Sequence, residues 1–168
     1  MFSLEVQTHF DAAHRLPDYN GPCRRIHGHR WEVKARYFFN DPLQHGMVYD
    51  LVLLKNALHS IVATYDHQSL NDVMNITPTA ELIAQTIWNR LRALPDPVHR
   101  QHLCAVSVYE TPDTCVVYTE TLTDVVAALR GKLETTPLTI EKPSEVEQPT
   151  VSPDAPREAD EETKNADQ

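Results

Sequence analysis

Ser3-Leu4-Glu5-Val6-Gln7-Thr8-His9-Phe10 sets Leu4, Val6, Thr8 and Phe10 against Ser3, Glu5, Gln7 and His9 in strict alternation. Successive side chains of a strand leave opposite faces, so this period of two predicts a strand with one buried and one wet face. Trp31, Val33, Ala35, Tyr37 and Phe39 alternate with Glu32, Lys34, Arg36 and Phe38, which predicts a second strand. Asp50 is placed to cap a helix carrying Leu51, Leu54, Leu58, Ile61 and Val62 on one stripe. A second helix is expected with Thr77 as its cap and Pro78 in its first turn, running through Ile83, Ile87, Leu91 and Leu94 and stopping at Pro95. Ala105 to Tyr109 and Val116 to Thr119 read as a closing hairpin around Pro112-Asp113. The order ββααββ predicts an α+β domain, with a mostly antiparallel four-stranded sheet and both helices on one face. Neither sheet edge carries a blocking proline or inward charge, so oligomerisation through the edges is expected.

The catalytic domain is expected to span residues 1–134. A short amphipathic helix is expected at its end, from Thr123 to Leu133, through Val125, Val126 and Leu129. From Thr135 to Gln168 the chain carries Pro137, Pro143, Pro149, Pro153 and Pro156 among acids, and this composition predicts a solvated, disordered tail. That tail holds nine acids and three bases, so most of the formal net charge of -9 belongs to it. The remaining 15 acids and 12 bases are nearly balanced. A nucleic-acid surface needs a basic stripe, and none is present. Three cysteines without a pairing rhythm fit a reducing compartment, and Cys104 and Cys115 are expected to be buried apolar thiols. With no bilayer-length apolar run and no leader pattern at Met1, a cytoplasmic location and no membrane partner are expected.

Chemistry concentrates in Phe10-Asp11-Ala12-Ala13-His14 and Cys23-Arg24-Arg25-Ile26-His27-Gly28-His29. On a strand, His27 and His29 leave the same face, and Gly28 between them keeps the opposite face small. His14 is the natural third imidazole. Two arrangements share this set: an open catalytic zinc site with three histidines, and a closed structural site in which Cys23 supplies the fourth ligand. Spacing favours neither. Asp66-His67 follows the first helix, where a carboxylate orients an imidazole either as a proton shuttle or as a helix-terminal hydrogen bond. Glu110, at a strand end, reads as a surface charge or as an acceptor for the paired N–H edge of a guanidine-like heterocycle.

Taken together, several short patterns in order resemble the 6-pyruvoyl-tetrahydropterin synthase family. They are Phe10 to His14, Cys23 with three residues before His27-Gly28-His29, Asp50, Asp66-His67 followed by Leu70-Asn71, Thr77-Pro78-Thr79-Ala80-Glu81, and Glu110-Thr111 with Tyr118. The short interval from Cys23 to His27 resembles the 6-carboxy-tetrahydropterin synthase branch of the queuosine pathway. Trp31 departs mildly from the family pattern, in which Tyr or Phe is commoner. The likeness covers about Phe2 to Glu120 and leaves the tail outside.

The resemblance implies a tunnelling fold, whose subunits join sheets into a barrel, commonly as a pair of trimers forming a hexamer. It implies 7,8-dihydroneopterin triphosphate as substrate and Zn2+ as cofactor. Carried over, His14, His27 and His29 would hold zinc, Cys23 would be a general base, and Asp66 and His67 a proton-transfer pair. Glu110 would anchor the pterin, with Thr77 and Thr79 lining its pocket. Sites between subunits would bring Cys23 and His67 together from different chains. The rivals are a pyruvoyl-forming triphosphate lyase on the same scaffold and a non-catalytic zinc-binding interaction protein, against which Cys23, Asp66, His67 and Glu110 together argue.

Overall fold

A computed structural model describes residues 1–120; the expected terminal helix and acidic tail lie outside them. Strand β1 (Phe2–His14) pairs antiparallel with β2 (His27–Phe39), Phe2 facing Phe39 and His14 facing His27. Then come α1 (Leu51–Val62), a two-residue strand β3 (Gln68–Ser69), the short α2 (Leu70–Val73), α3 (Ala80–Arg92) and the short α4 (Val98–Gln101). The hairpin of β4 (Leu103–Thr111) and β5 (Thr114–Tyr118) closes the described part. The sheet order is β3-β1-β2-β4-β5.

The α+β class holds, with α1 against β1 and α3 against β4 and β5. The strand count is corrected from four to five, because Gln68 and Ser69 run parallel to Ala12 and Ala13. Two residues carry no readable period, so this strand has no sequence signal. One sheet face is dry: Val6, Phe10, Trp31, Val33, Ala35, Tyr37, Val106 and Val108 are buried beneath the helices. The other carries cross-strand ion pairs such as Arg36 with Glu5 and Arg30 with Asp11.

Asp50 caps α1 as expected, its side chain accepting the Val52 N–H at 2.8 Å. Leu54, Leu58, Ile61 and Val62 are buried, whereas Leu51, at the first turn, is half exposed. The cap of α3 is Thr79, not Thr77: the Thr79 hydroxyl accepts the Leu82 N–H at 3.3 Å. Pro78 therefore lies before the cap, where its carbonyl is free for a tertiary partner, and it holds Thr77 in extended backbone. Helix α3 buries Ile83, Ile87 and Leu91 as expected, with Ala84 and Trp88 beside them, and its last turn is capped at Ala93. Cys104 is buried, but Cys115 is exposed because β5 is an edge strand and Cys115, opposite Tyr109, is on the wet face. His99, in α4, is buried, its Nδ1 paired with the Tyr37 hydroxyl at 2.9 Å; burial lowers its pKa. No described helix is long and apolar enough to cross a membrane.

Candidate metal centre

The dry face of the sheet does not stay apolar to its end. Continuing the inward positions of β1 past Phe10 gives Ala12 and His14, and continuing those of β2 back from Trp31 gives His29 and His27. The alternating geometry that buries Phe10 against Trp31 thus also delivers three imidazoles to one corner. Glu110 arrives from β4 on the same face, after Val106 and Val108. It sits where the β4–β5 register slips, between Tyr109 and Thr111. The slip has no readable residue pattern, while the inward place of Glu110 follows the alternation of Val106 and Val108.

The donor atoms are close. His14 Nε2 lies 3.1 Å from His27 Nε2. Glu110 Oε1 lies 3.2 Å from His14 Nε2 and 3.4 Å from His29 Nε2. One atom from each of the four residues lies within 4.8 Å of every other.

Hydrogen bonds fix which ring nitrogen is available. The Nδ1–H of His14 donates to the Pro78 carbonyl at 2.8 Å, and that of His27 donates to the Arg25 carbonyl at 2.8 Å. A carbonyl only accepts, so in each neutral ring the proton is on Nδ1 and Nε2 presents a lone pair. Two lone pairs facing each other at 3.1 Å repel unless a cation lies between them. Donor atoms of a tetrahedral zinc sit about 3.3 Å apart when Zn–N is about 2.0 Å, so the spacing suits such an ion. The carbonyls of Pro78 and Arg25 are the outer-shell acceptors that orient ligating imidazoles. Backbone groups leave no mark in a residue pattern, so the sequence could not reveal them.

His29 completes the case for a fit. Its Nε2 is buried with no hydrogen-bond partner among the described residues, because the 3.4 Å approach to Glu110 lacks bonding geometry. Desolvation lowers the His29 pKa, helped by neighbouring His14 and His27 and opposed by Glu110, which keeps the ring neutral as a ligand must be. Trp31, fully buried, sets its ring edge-on to His14 at 4.9 Å and to His29 at 5.4 Å, and its Nε1–H donates to the Ala12 carbonyl at 3.3 Å. The indole thus walls the imidazoles on the core side.

The other expected site residues surround this corner at different depths. Cys23 lies in the 3-10 turn Pro22–Arg24, half-buried, and is not in the close donor set. Thr79 lines a cavity of about 310 Å³ with His14, Leu16, Glu110 and Cys115, whereas Thr77 is exposed and does not line it. Gly28 opens the outer face: an added Cβ would come no closer than 3.5 Å to its nearest neighbour, the Ala12 carbonyl oxygen, so glycine there leaves room rather than relieving a clash. Asp66 and His67 form a pair, the ring Nδ1–H donating to Asp66 Oδ2 at 2.8 Å. His67 is 79% exposed, with its Nε2 left for solvent or a ligand. It borders an open hollow that also includes His29 and Gly28.

Comparison with known proteins places these features in a group. A family model described as 6-pyruvoyl tetrahydropterin synthase matches residues 3–121. The 6-carboxy-5,6,7,8-tetrahydropterin synthase of Synechocystis is 35% identical over 125 residues, covering 70% of this chain and 93% of that protein. The enzyme of the same name from Bacillus subtilis is 32% identical over 126 residues, covering 70% of this chain and 84% of the relative. Among solved structures, the 6-pyruvoyl tetrahydropterin synthase of Caenorhabditis elegans superposes with a TM-score of 0.62 at 28% identity, covering 71% of this chain and 96% of that one.

Proposed function

The chain belongs to the 6-pyruvoyl tetrahydropterin synthase family, and from that premise we propose that it is a zinc-dependent 6-carboxy-5,6,7,8-tetrahydropterin synthase. The reaction takes 7,8-dihydroneopterin triphosphate and one water to 6-carboxytetrahydropterin, acetaldehyde and triphosphate, a step toward queuosine and other 7-deazapurines. The observation that carries this reading is the convergence of three imidazole nitrogens and one carboxylate oxygen, two of the rings having their Nε2 fixed by backbone carbonyls. Relatives at 32% and 35% identity that bear the carboxy-forming name support the choice of product.

His14, His27 and His29 would hold the ion. When bound, zinc supplies Lewis acidity toward oxygens of the substrate side chain, which makes neighbouring C–H bonds acidic. Proton removal falls to the Cys23 thiolate, a sulfur kept out of the ligand set. His67, whose Nδ1–H is held by Asp66, carries protons through Nε2. Triphosphate leaves as the adjacent proton is lost, and addition of water across the side-chain carbon–carbon bond then releases acetaldehyde. Thr79 borders the pterin pocket beside His14 and Glu110, and Thr77, outside that lining, takes no part in it.

Glu110 anchors the pterin in this proposal. It is one-third exposed, and it lines both the 310 Å³ cavity and the larger hollow beyond His29. Its closeness to the histidines offers a second role, as a fourth metal ligand, and the two separate experimentally. Glu110→Gln is expected to weaken substrate binding at least about tenfold, because a charged two-point acceptor is lost, while zinc content stays at one per chain. Loss of zinc with unchanged substrate affinity would assign Glu110 to the metal instead.

The exposed His67 fits a site shared between chains, so we take the working form to be a homo-oligomer joined through the β3 and β5 edges, a hexamer of two trimers in a cytoplasmic enzyme. A single-chain mass in solution at micromolar concentration would contradict this. The activity itself is tested by incubating zinc-loaded protein with dihydroneopterin triphosphate and identifying products by mass. Acetaldehyde with 6-carboxytetrahydropterin supports the reading. The likeness to the Caenorhabditis elegans enzyme favours a second one, in which triphosphate elimination stops at the pyruvoyl product and no acetaldehyde appears.

A further inference from the structure

Asp11 makes more connections than an exposed strand residue needs. Its backbone N–H donates to Asp66 Oδ1 at 2.9 Å. Its backbone carbonyl accepts the His67 N–H at 2.6 Å. Its carboxylate takes the Arg30 guanidinium in a two-point fork, Nε and Nη2 both at 3.1 Å. Arg30 is directly across the β1–β2 ladder from Asp11, so the fork is built into the strand register.

His67 adopts φ of 56°, a left-handed conformation that few residues other than glycine take. Such backbone persists where its surroundings over-determine it. The surroundings here are the Asp11 carbonyl on the His67 backbone and the Asp66 carboxylate on its ring, with Asp66 itself held by the Asp11 N–H.

We infer that Arg30 and Asp11 are positioning residues for the Asp66–His67 pair: Asp11 clamps both residues through its main chain, and Arg30 neutralises the Asp11 carboxylate, which would otherwise repel the neighbouring Asp66 carboxylate. The inference rests on the proposed proton-transfer role of His67. The groups that act on the Asp66 carboxylate are His67 on its own segment and Asp11 and His9 on β1, and Arg30 on β2 acts on both carboxylates. Asp11 and Asp66 repel each other electrostatically, while Arg30 attracts both, so it is the counter-charge of a carboxylate pair. The Asp66 carboxyl is held below its usual range first by the Asp11 N–H and then by His67.

Removing the guanidinium leaves the Asp11 and Asp66 carboxylates without their counter-charge, and the more negative surroundings of the ring that Asp66 holds favour protonated His67. In Arg30→Gln the His67 titration midpoint, followed by NMR on the full-length protein and assigned with His67→Gln, is expected to rise by about half a pH unit. The acid limb of kcat moves up by the same amount, KM and melting temperature change little, and Arg30→Lys restores most of the shift. A His67 midpoint and an acid limb that both stay at their wild-type values in Arg30→Gln would overturn the inference, as would a rate loss that merely tracks a lower melting temperature. If the midpoint rises while the wild-type protein turns over no dihydroneopterin triphosphate, the clamp stands and the proposed activity fails.

Discussion

Replacing His27 by alanine is expected to strip the protein of zinc and to abolish turnover with it. His27 contributes one of three convergent imidazoles, and its Nδ1–H to the Arg25 carbonyl aims Nε2 at His14. With Glu110 assigned to the pterin rather than the metal, deleting it leaves two imidazoles, one fewer than the three protein ligands of a catalytic zinc site. Losing an outer-shell partner of a zinc ligand alone costs roughly 10- to 100-fold in affinity, so losing a ligand should exceed about 100-fold. Metal analysis after dialysis against a weak chelator reads this directly. His59→Ala serves as a control, because His59 is outside the donor set, and it should keep its zinc. Retention of one zinc per chain by His27→Ala would remove His27 from the metal.

Cys23→Ala is expected to do the opposite: zinc stays and turnover falls by about 10²- to 10⁴-fold, the usual contribution of a positioned proton acceptor. The expectation follows from placement. The 3-10 turn Pro22–Arg24 holds Cys23 near the chain entering β2, while the close donor set is filled by His14, His27, His29 and Glu110. A neutral three-histidine shell also leaves a divalent ion more of its positive charge than a shell containing thiolate. Cys23→Ser refines the test, since a hydroxyl keeps the size but is a far weaker acid and should restore little. Full activity in Cys23→Ala would dismiss it as the base, and loss of zinc would make it a ligand.

How much of this was readable in the residues depends on what each position presents to the core. The stretch from Leu4 to Phe10 and that from Trp31 to Phe39 announce themselves because their inward positions are mostly apolar. The same strands reach His14 and His27, yet the apolar alternation breaks there, because imidazoles take the inward places. The strand ends were hidden by the site they build. The three histidines themselves were legible, since a period of two on a strand says which side chains share a face. Glu110 could be singled out as a carboxylate, and the alternation of Val106 and Val108 puts it on the inward face, but no residue pattern announces that β4 brings it within 3.4 Å of His14 and His29.

The misread cap of α3 has a similar origin. Thr77 and Thr79 are chemically equal candidates, and the choice falls to Thr79 because the buried Pro78 turns its carbonyl to the His14 ring. A tertiary contact to the histidine corner thus sits one residue before the helix cap. Asp66-His67 was legible as a pair. Its clamp by Asp11 was not, because that clamp uses main-chain N–H and C=O groups that every residue carries. The same limit hid the carbonyls of Pro78 and Arg25.

The central claim is that imidazole nitrogens meet on one divalent ion while the nearby sulfur stays off it. X-ray absorption at the zinc edge of the purified, full-length protein measures this shell directly. The account predicts nitrogen and oxygen neighbours only, at about 2.0 to 2.2 Å with imidazole outer-shell scattering. A sulfur neighbour at about 2.3 Å would place a thiolate on the ion and contradict it.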